Sequence, residues 1–77
     1  MQGIKQYYRV DKSKIGFLRF IIEAYDNLAL MTTLDAREGL VVLNIAPGCE
    51  DTAKALMDSL GADFYVEYLP DFIAPII

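Results

Sequence analysis

The sequence predicts an α+β fold in which four strands form an antiparallel sheet and two helices cover one side of it. Three observations carry that expectation. Residues 4–10 and 29–35 alternate in polarity at the two-residue period of a strand, and residues 40–46 are almost wholly apolar. Residues 15–28 and 49–60 instead repeat their apolar side chains at helical spacing. Between these segments stand breakers and caps: Asp11, Ser13, Asp26-Asn27, Gly39, Pro47-Gly48, Gly61 and Pro70.

Each element follows in order. Residues 4–10 set Ile4, Gln6, Tyr8 and Val10 on one side and Lys5, Tyr7 and Arg9 on the other, the pattern of a strand with one face toward a core. Asp11 or Ser13 then offers an oxygen to the free amides at a helix start. Ile15, Leu18, Ile21, Ile22, Tyr25 and Leu28 share one stripe of that helix, which Asp26-Asn27 ends. A second strand over 29–35 opposes Leu30, Thr32 and Leu34 to Met31, Thr33 and Asp35. Residues 36–39 make a short hairpin loop, with Gly39 where a positive φ is needed. The third strand, 40–46, is apolar on both sides except for Asn44, which predicts a central strand covered on both faces. The second helix, 49–60, carries Ala53, Leu56, Met57 and Leu60 on one stripe, with Gly61 at the residue after its end. Glu50 and Asp51 lie in its first turn, where the helix dipole favours negative charge. Residues 64–69 form a fourth strand, ended by Pro70, and 71–77 form an apolar C-terminal tail. The order β-α-β-β-α-β is the ferredoxin-like arrangement. Two right-handed crossovers give the strand order 4-1-3-2 with both helices on one face. The third strand is then central, as its apolar run requires.

With 77 residues the chain reads as a single domain, 1–77. A chain of this size buries only about 60–65% of its unfolded surface. One cysteine, Cys49, forms no internal disulfide, and without histidine or a CxxC pair a structural zinc site is not expected. Stability must then come from an efficient core or from a second subunit, and the 55% hydrophobic content serves either. Residues 1–8 lack the apolar segment of a signal peptide. The apolar stretch 15–34 is interrupted by Arg19, Glu23 and Asp26, so no membrane span is expected. The expected location is the cytoplasm, with Cys49 reduced. Charge is divided unevenly: residues 1–22 set five basic side chains against Asp11 alone, whereas 23–77 set Arg37 and Lys54 against ten acids. The net charge of −4 repels nucleic acid at long range.

The stretch "VDKSKIGFLRFIIEAYDNLALMTTLD" resembles the short bacterial single-domain families of this fold that have no assigned function. In layout it is also similar to the ACT domain, a regulatory module that binds amino acids. Val10-Asp11, the helix of 15–28 and the hairpin of 31–45 match an ACT domain's strand-one aspartate, first helix and hairpin. The ACT ligand turn usually runs aspartate, any residue, proline, glycine; here it is Asp11-Lys12-Ser13-Lys14. The resemblance implies a regulatory domain taking an amino acid or another small acidic metabolite at the junction of strand one and helix one.

Arg9, Asp11, Lys12, Ser13 and Lys14 are the candidate ligand residues at that junction. Basic side chains beside free helix amides suit an anion. The structural reading of the same residues is that Asp11 or Ser13 caps and the lysines are solvated. At "PGCED" the acids Glu50 and Asp51 repel phosphate, and Cys49 has no histidine to take its proton, so an inert thiol is expected. Tyr7, Arg9 and Tyr65 evoke an RNA-stacking sheet, but the third strand offers no aromatic partner on either face. Arg19 and Glu23 are expected to form a solvated pair one turn apart. With no nucleophile beside a base and no implied cofactor, the expectation is a non-catalytic protein. The second sheet face needs a cover. Val41, Leu43 and Ile45, with Phe72, Ile73, Ile76 and Ile77 of the tail, are the candidate interface of a homodimer.

Overall fold

The computed structural model describes residues 4–72. Strands β1 (Ile4–Val10), β2 (Ala29–Asp35), β3 (Leu40–Ile45) and β4 (Val66–Tyr68) form one sheet in the order β2-β3-β1-β4. Every neighbouring pair is antiparallel. Helix α1 (Ile15–Ala24) joins β1 to β2, and α2 (Glu50–Leu60) joins β3 to β4. This is the ferredoxin-like order 4-1-3-2, with β1 and β3 as the central pair.

One face of the sheet and both helices share a single core. Tyr8 and Val10 from β1, Met31 from β2, and Val41, Leu43 and Ile45 from β3 are buried together with Leu18 and Ile22 of α1 and Ala53, Met57 and Leu60 of α2. Both helices therefore cover the same face. The α1 stripe arises because Leu18 and Ile22 stand four residues apart, one above the other on one side of the helix. Truncating the fully buried Leu18 to alanine would cost about 2–5 kcal/mol, since its site cannot collapse freely.

The ends of the elements depart from the spacing in the sequence. Helix α1 stops at Ala24, and Asn27 takes a left-handed φ of 57°. Leu28 is buried nonetheless, from a turn in which its carbonyl accepts the Ala46 amide at 2.9 Å. Periodicity placed it on the helix because a turn returned it to the same core. Gly61 is not a left-handed stop: its φ is −62°, and the chain runs on through Gly61 N–H to the Met57 carbonyl and Phe64 N–H to the Leu60 carbonyl. Strand β4 is only three residues long.

Gly39 meets the expectation. Its φ is +69°, its carbonyl accepts the Val10 amide at 2.8 Å, and a Cβ there would stand 2.0 Å from the Val10 carbonyl oxygen. The β2–β3 hairpin loop is thus pressed against the end of β1. Asp35 organises the loop by accepting from the amides of Arg37 and Glu38 at 3.0 and 3.3 Å.

Candidate functional site

The side of the sheet away from the helices follows from the register. Directly opposed residues share a face. Lys5 and Leu30 flank Asn44, Tyr7 and Thr32 flank Val42, and Arg9 opposes both Leu40 and Glu67. These residues form the open face. Val41, Leu43 and Ile45 belong to the other row and are buried under the helices. The expectation that they form an external interface is therefore corrected: the third strand turns Leu40, Val42 and Asn44 outward. Asn44 was the signal, as the one polar residue in that strand.

On this face Leu30 is 71% exposed, and Leu34 is exposed at the β2 irregularity between Thr33 and Asp35. Toward β4 the face is partly covered. The Leu69 amide donates to the Tyr7 carbonyl at 2.8 Å, the Phe72 amide donates back to the Leu69 carbonyl at 3.3 Å, and the Phe72 ring packs on Tyr7 with centroids 5.0 Å apart. Of the tail residues expected at an interface, Phe72 thus lies on the open face. Ile73, Ile76 and Ile77 lie outside the described residues.

The β1–α1 junction places its candidates in three situations. Asp11 and Ser13 come together: one Asp11 carboxylate oxygen accepts from the Ser13 hydroxyl at 2.8 Å and from its amide at 2.9 Å. This caps a 3-10 turn, Lys12–Lys14, that precedes α1; no side chain caps α1 itself. The Ser13 hydroxyl and amide, helped by Lys14 and Lys12, hold the Asp11 carboxyl below its ordinary pKa. Lys12 and Lys14 are exposed. Arg9 points elsewhere. It projects from the open face, 3.9 Å from Glu67, whose carboxylate also accepts the Tyr65 hydroxyl. That hydrogen bond, with the adjacent negative charge, raises the Tyr65 pKa. A half-exposed ion pair of this length contributes about 0–1 kcal/mol.

Three further features escaped the sequence reading. Arg19 does not pair with Glu23. It reaches from α1 across the outer strand, donating to the Met31 carbonyl and the Thr33 hydroxyl, both at 3.1 Å. Phe17 and Phe20 are 51% and 71% exposed on the outer side of α1, where Phe17 meets Phe64 edge-on. Their i, i+3 spacing was the available signal. A shallow cleft of about 560 Å³ opens between the end of α1 and the β2–β3 ends, lined by Glu23, Tyr25, Asp26, Leu30, Asn44 and Pro47 among others.

Cys49 is half-buried, its Sγ 3.8 Å from the Asn27 carbonyl. Among the described residues there is no cluster of three or more potential acid, cysteine or histidine metal ligands. Nor, among them, is any helix long and apolar enough to cross a membrane.

Comparison with known proteins adds one relation. No curated protein matches the chain, and neither does any solved structure. A family model described as Domain of unknown function (DUF4911) matches residues 8–63, from the middle of β1 to just beyond α2. The match spans well over half of the 77 residues, so the chain belongs to the DUF4911 family.

Proposed function

We propose that the chain is a small non-catalytic interaction module that forms a homodimer through the open face of its sheet. The observation that carries this reading is the exposure of Leu30 on a face that also presents Val42, Leu40 and Leu34. Large apolar side chains left exposed on one face suit an interface. A second copy suits it because a twofold contact needs only one self-complementary patch. The absence of histidine from the chain supports a non-catalytic role. Sedimentation at micromolar concentration tests the reading: the wild-type chain should run as a dimer and Leu30→Asp as a folded monomer. A wild-type chain that remains at 8.6 kDa sinks it.

The second reading is an ACT-like domain binding an amino acid or other small acid at the β1–α1 junction. It draws support from the exposed Lys12 and Lys14 and from the start of α1, which has no side-chain cap. Asp11 weighs against it, because an anion there would meet a carboxylate already bonded to the turn. A thermal-shift series with acidic amino acids separates the two. Stabilisation lost in Lys12→Ala/Lys14→Ala would favour the ligand reading.

A further inference from the structure

We infer that the cleft at the end of α1 binds a small organic ammonium ion, its head held by Glu23 and Asp26 and its apolar body lying against Tyr25 and Leu30. This cleft is at the opposite end of α1 from the β1–α1 junction, and it meets the proposed dimer face only through Leu30 and Asn44.

Charge selects the sign of the ligand. Glu23 stands in the last turn of α1, where the free carbonyls gather partial negative charge and favour a cation. That turn holds no basic side chain. Among the described residues the ion pairs are Arg9–Glu67 and Lys54–Asp58, so the carboxylates of Glu23 and Asp26 are both unpaired. No Lys or Arg lines the cleft; Lys5 opposes Asn44 from β1 but is not part of the wall. The fold therefore leaves two carboxylates and a helix end of the same sign around one hollow, with no cation of its own to balance them.

Shape and chemistry select the kind of cation. At about 560 Å³ the cleft falls within the about 300–1,000 Å³ of small-molecule sites. Tyr25 and Leu30, 46% and 71% exposed, give the wall apolar surface for an organic body. An aromatic ring suits a cation further, because its face carries negative charge. A primary ammonium has three donors. Glu23, Asp26 and the Asn44 side-chain carbonyl offer an acceptor for each. A divalent metal fits less well: it takes six or more oxygen ligands, and the described residues group no three acid, cysteine or histidine side chains for one.

An amide NMR titration of the full chain with phenethylammonium tests this. The expected result is saturable shifts at Tyr25, Leu30 and Asn44. Glu23→Gln/Asp26→Asn should weaken binding about tenfold, since two exposed ion contacts together are worth about that much. Tyr25→Ala should weaken it severalfold. All three side chains are exposed, so the variants keep the fold, and the same spectra verify it. Phenylpropionate, of similar size and opposite charge, should leave these amides unmoved. Any of four results overturns the site: no saturable shift at millimolar amine, unchanged affinity in the double variant, equal binding of phenylpropionate, or tighter binding of calcium at the same carboxylates. The dimer reading survives each of them, because sedimentation of the wild-type chain and Leu30→Asp decides it separately.

Discussion

Substituting Gly39 by alanine should be among the most damaging small changes available to this chain. Two effects combine there. The residue holds φ at +69°, a conformation costing an L-residue about 1–2 kcal/mol. The new Cβ would also stand 2.0 Å from the Val10 carbonyl oxygen, so the loop and β1 must separate by more than an ångström. Overpacking of that kind costs about 1–3 kcal/mol. Separation also weakens the bond from the Val10 amide to the Gly39 carbonyl, for about 0.5–1.5 kcal/mol more. Reduced freedom of the unfolded chain offsets about 0.4–1 kcal/mol. The net loss is about 1.5–6 kcal/mol, against a total stability of about 4–12 kcal/mol for a domain of this size. The melting temperature should fall by at least about 6 °C. Gly48 supplies the control. Its φ is +86°, but nothing lies within 4 Å of a Cβ placed there. Gly48→Ala should therefore cost only about 1 kcal/mol. Urea denaturation followed by circular dichroism measures both. If the two variants lose equal stability, the contact with Val10 is not what fixes Gly39, and the reasoning fails.

Other expectations concern charge and edges. Arg19→Ala should cost about 1–2 kcal/mol and accelerate amide exchange around Met31 and Thr33, since it uncovers the edge strand; unchanged exchange there would count against the edge role. Asp11→Ala should destabilise the 3-10 turn at neutral pH. Because the folded Asp11 pKa lies below its ordinary 3.8, that stabilisation is present above 3.8 and disappears as pH falls through the folded value. A wild-type-to-variant difference that persists unchanged into strong acid would contradict it. Tyr8 is buried, and burial, followed by the charges of Tyr68 and Asp58, pushes its pKa from 10.0 to about 12. Its contribution is intact below pH 10 and is lost as pH climbs toward 12. Phenolate absorbance should show a late-titrating component that Tyr8→Phe diminishes, the remainder belonging to Tyr65, whose pKa is also raised.

The topology was legible because punctuation and period agree: the breakers fall at element ends, and most of them where the pattern changes between two and 3.6 residues. The open face was less legible. In β3 both rows are apolar, so composition left the choice between Val41-Leu43-Ile45 and Leu40-Val42-Asn44 almost undecided. The choice is made by pairing, where Tyr8 opposes Val41 and Tyr7 opposes Val42, and Asn44 is the only local sign of it. Arg19 was misread for a related reason. An i, i+4 rule sees only the helix, whereas packing of α1 beside β2 offered a free carbonyl nearer than Glu23 offered a charge. At the β1–α1 junction the capping chemistry of Asp11 and Ser13 was readable, because it is local. The departure of Arg9 to the opposite face was implicit in strand alternation, and proximity in sequence hid it.

The strand order also governs what happens on the ribosome. The central strand β1 is made first, yet its two neighbours are β3 and β4. A nascent chain can zip β2 to β3 across a short loop and then dock β1 on β3, all from segments ending at Ile45. The other side of β1 stays unpaired until Val66–Tyr68 has been synthesised and has left the exit tunnel. At about 5–20 residues per second, the interval between completing β3 and completing β4 lasts roughly one to five seconds. Throughout it, a strand bearing Tyr8 and Val10 is open to any other extended chain. A three-residue strand at the very end of the sheet therefore has a duty beyond its length: it closes the one edge that translation leaves exposed longest.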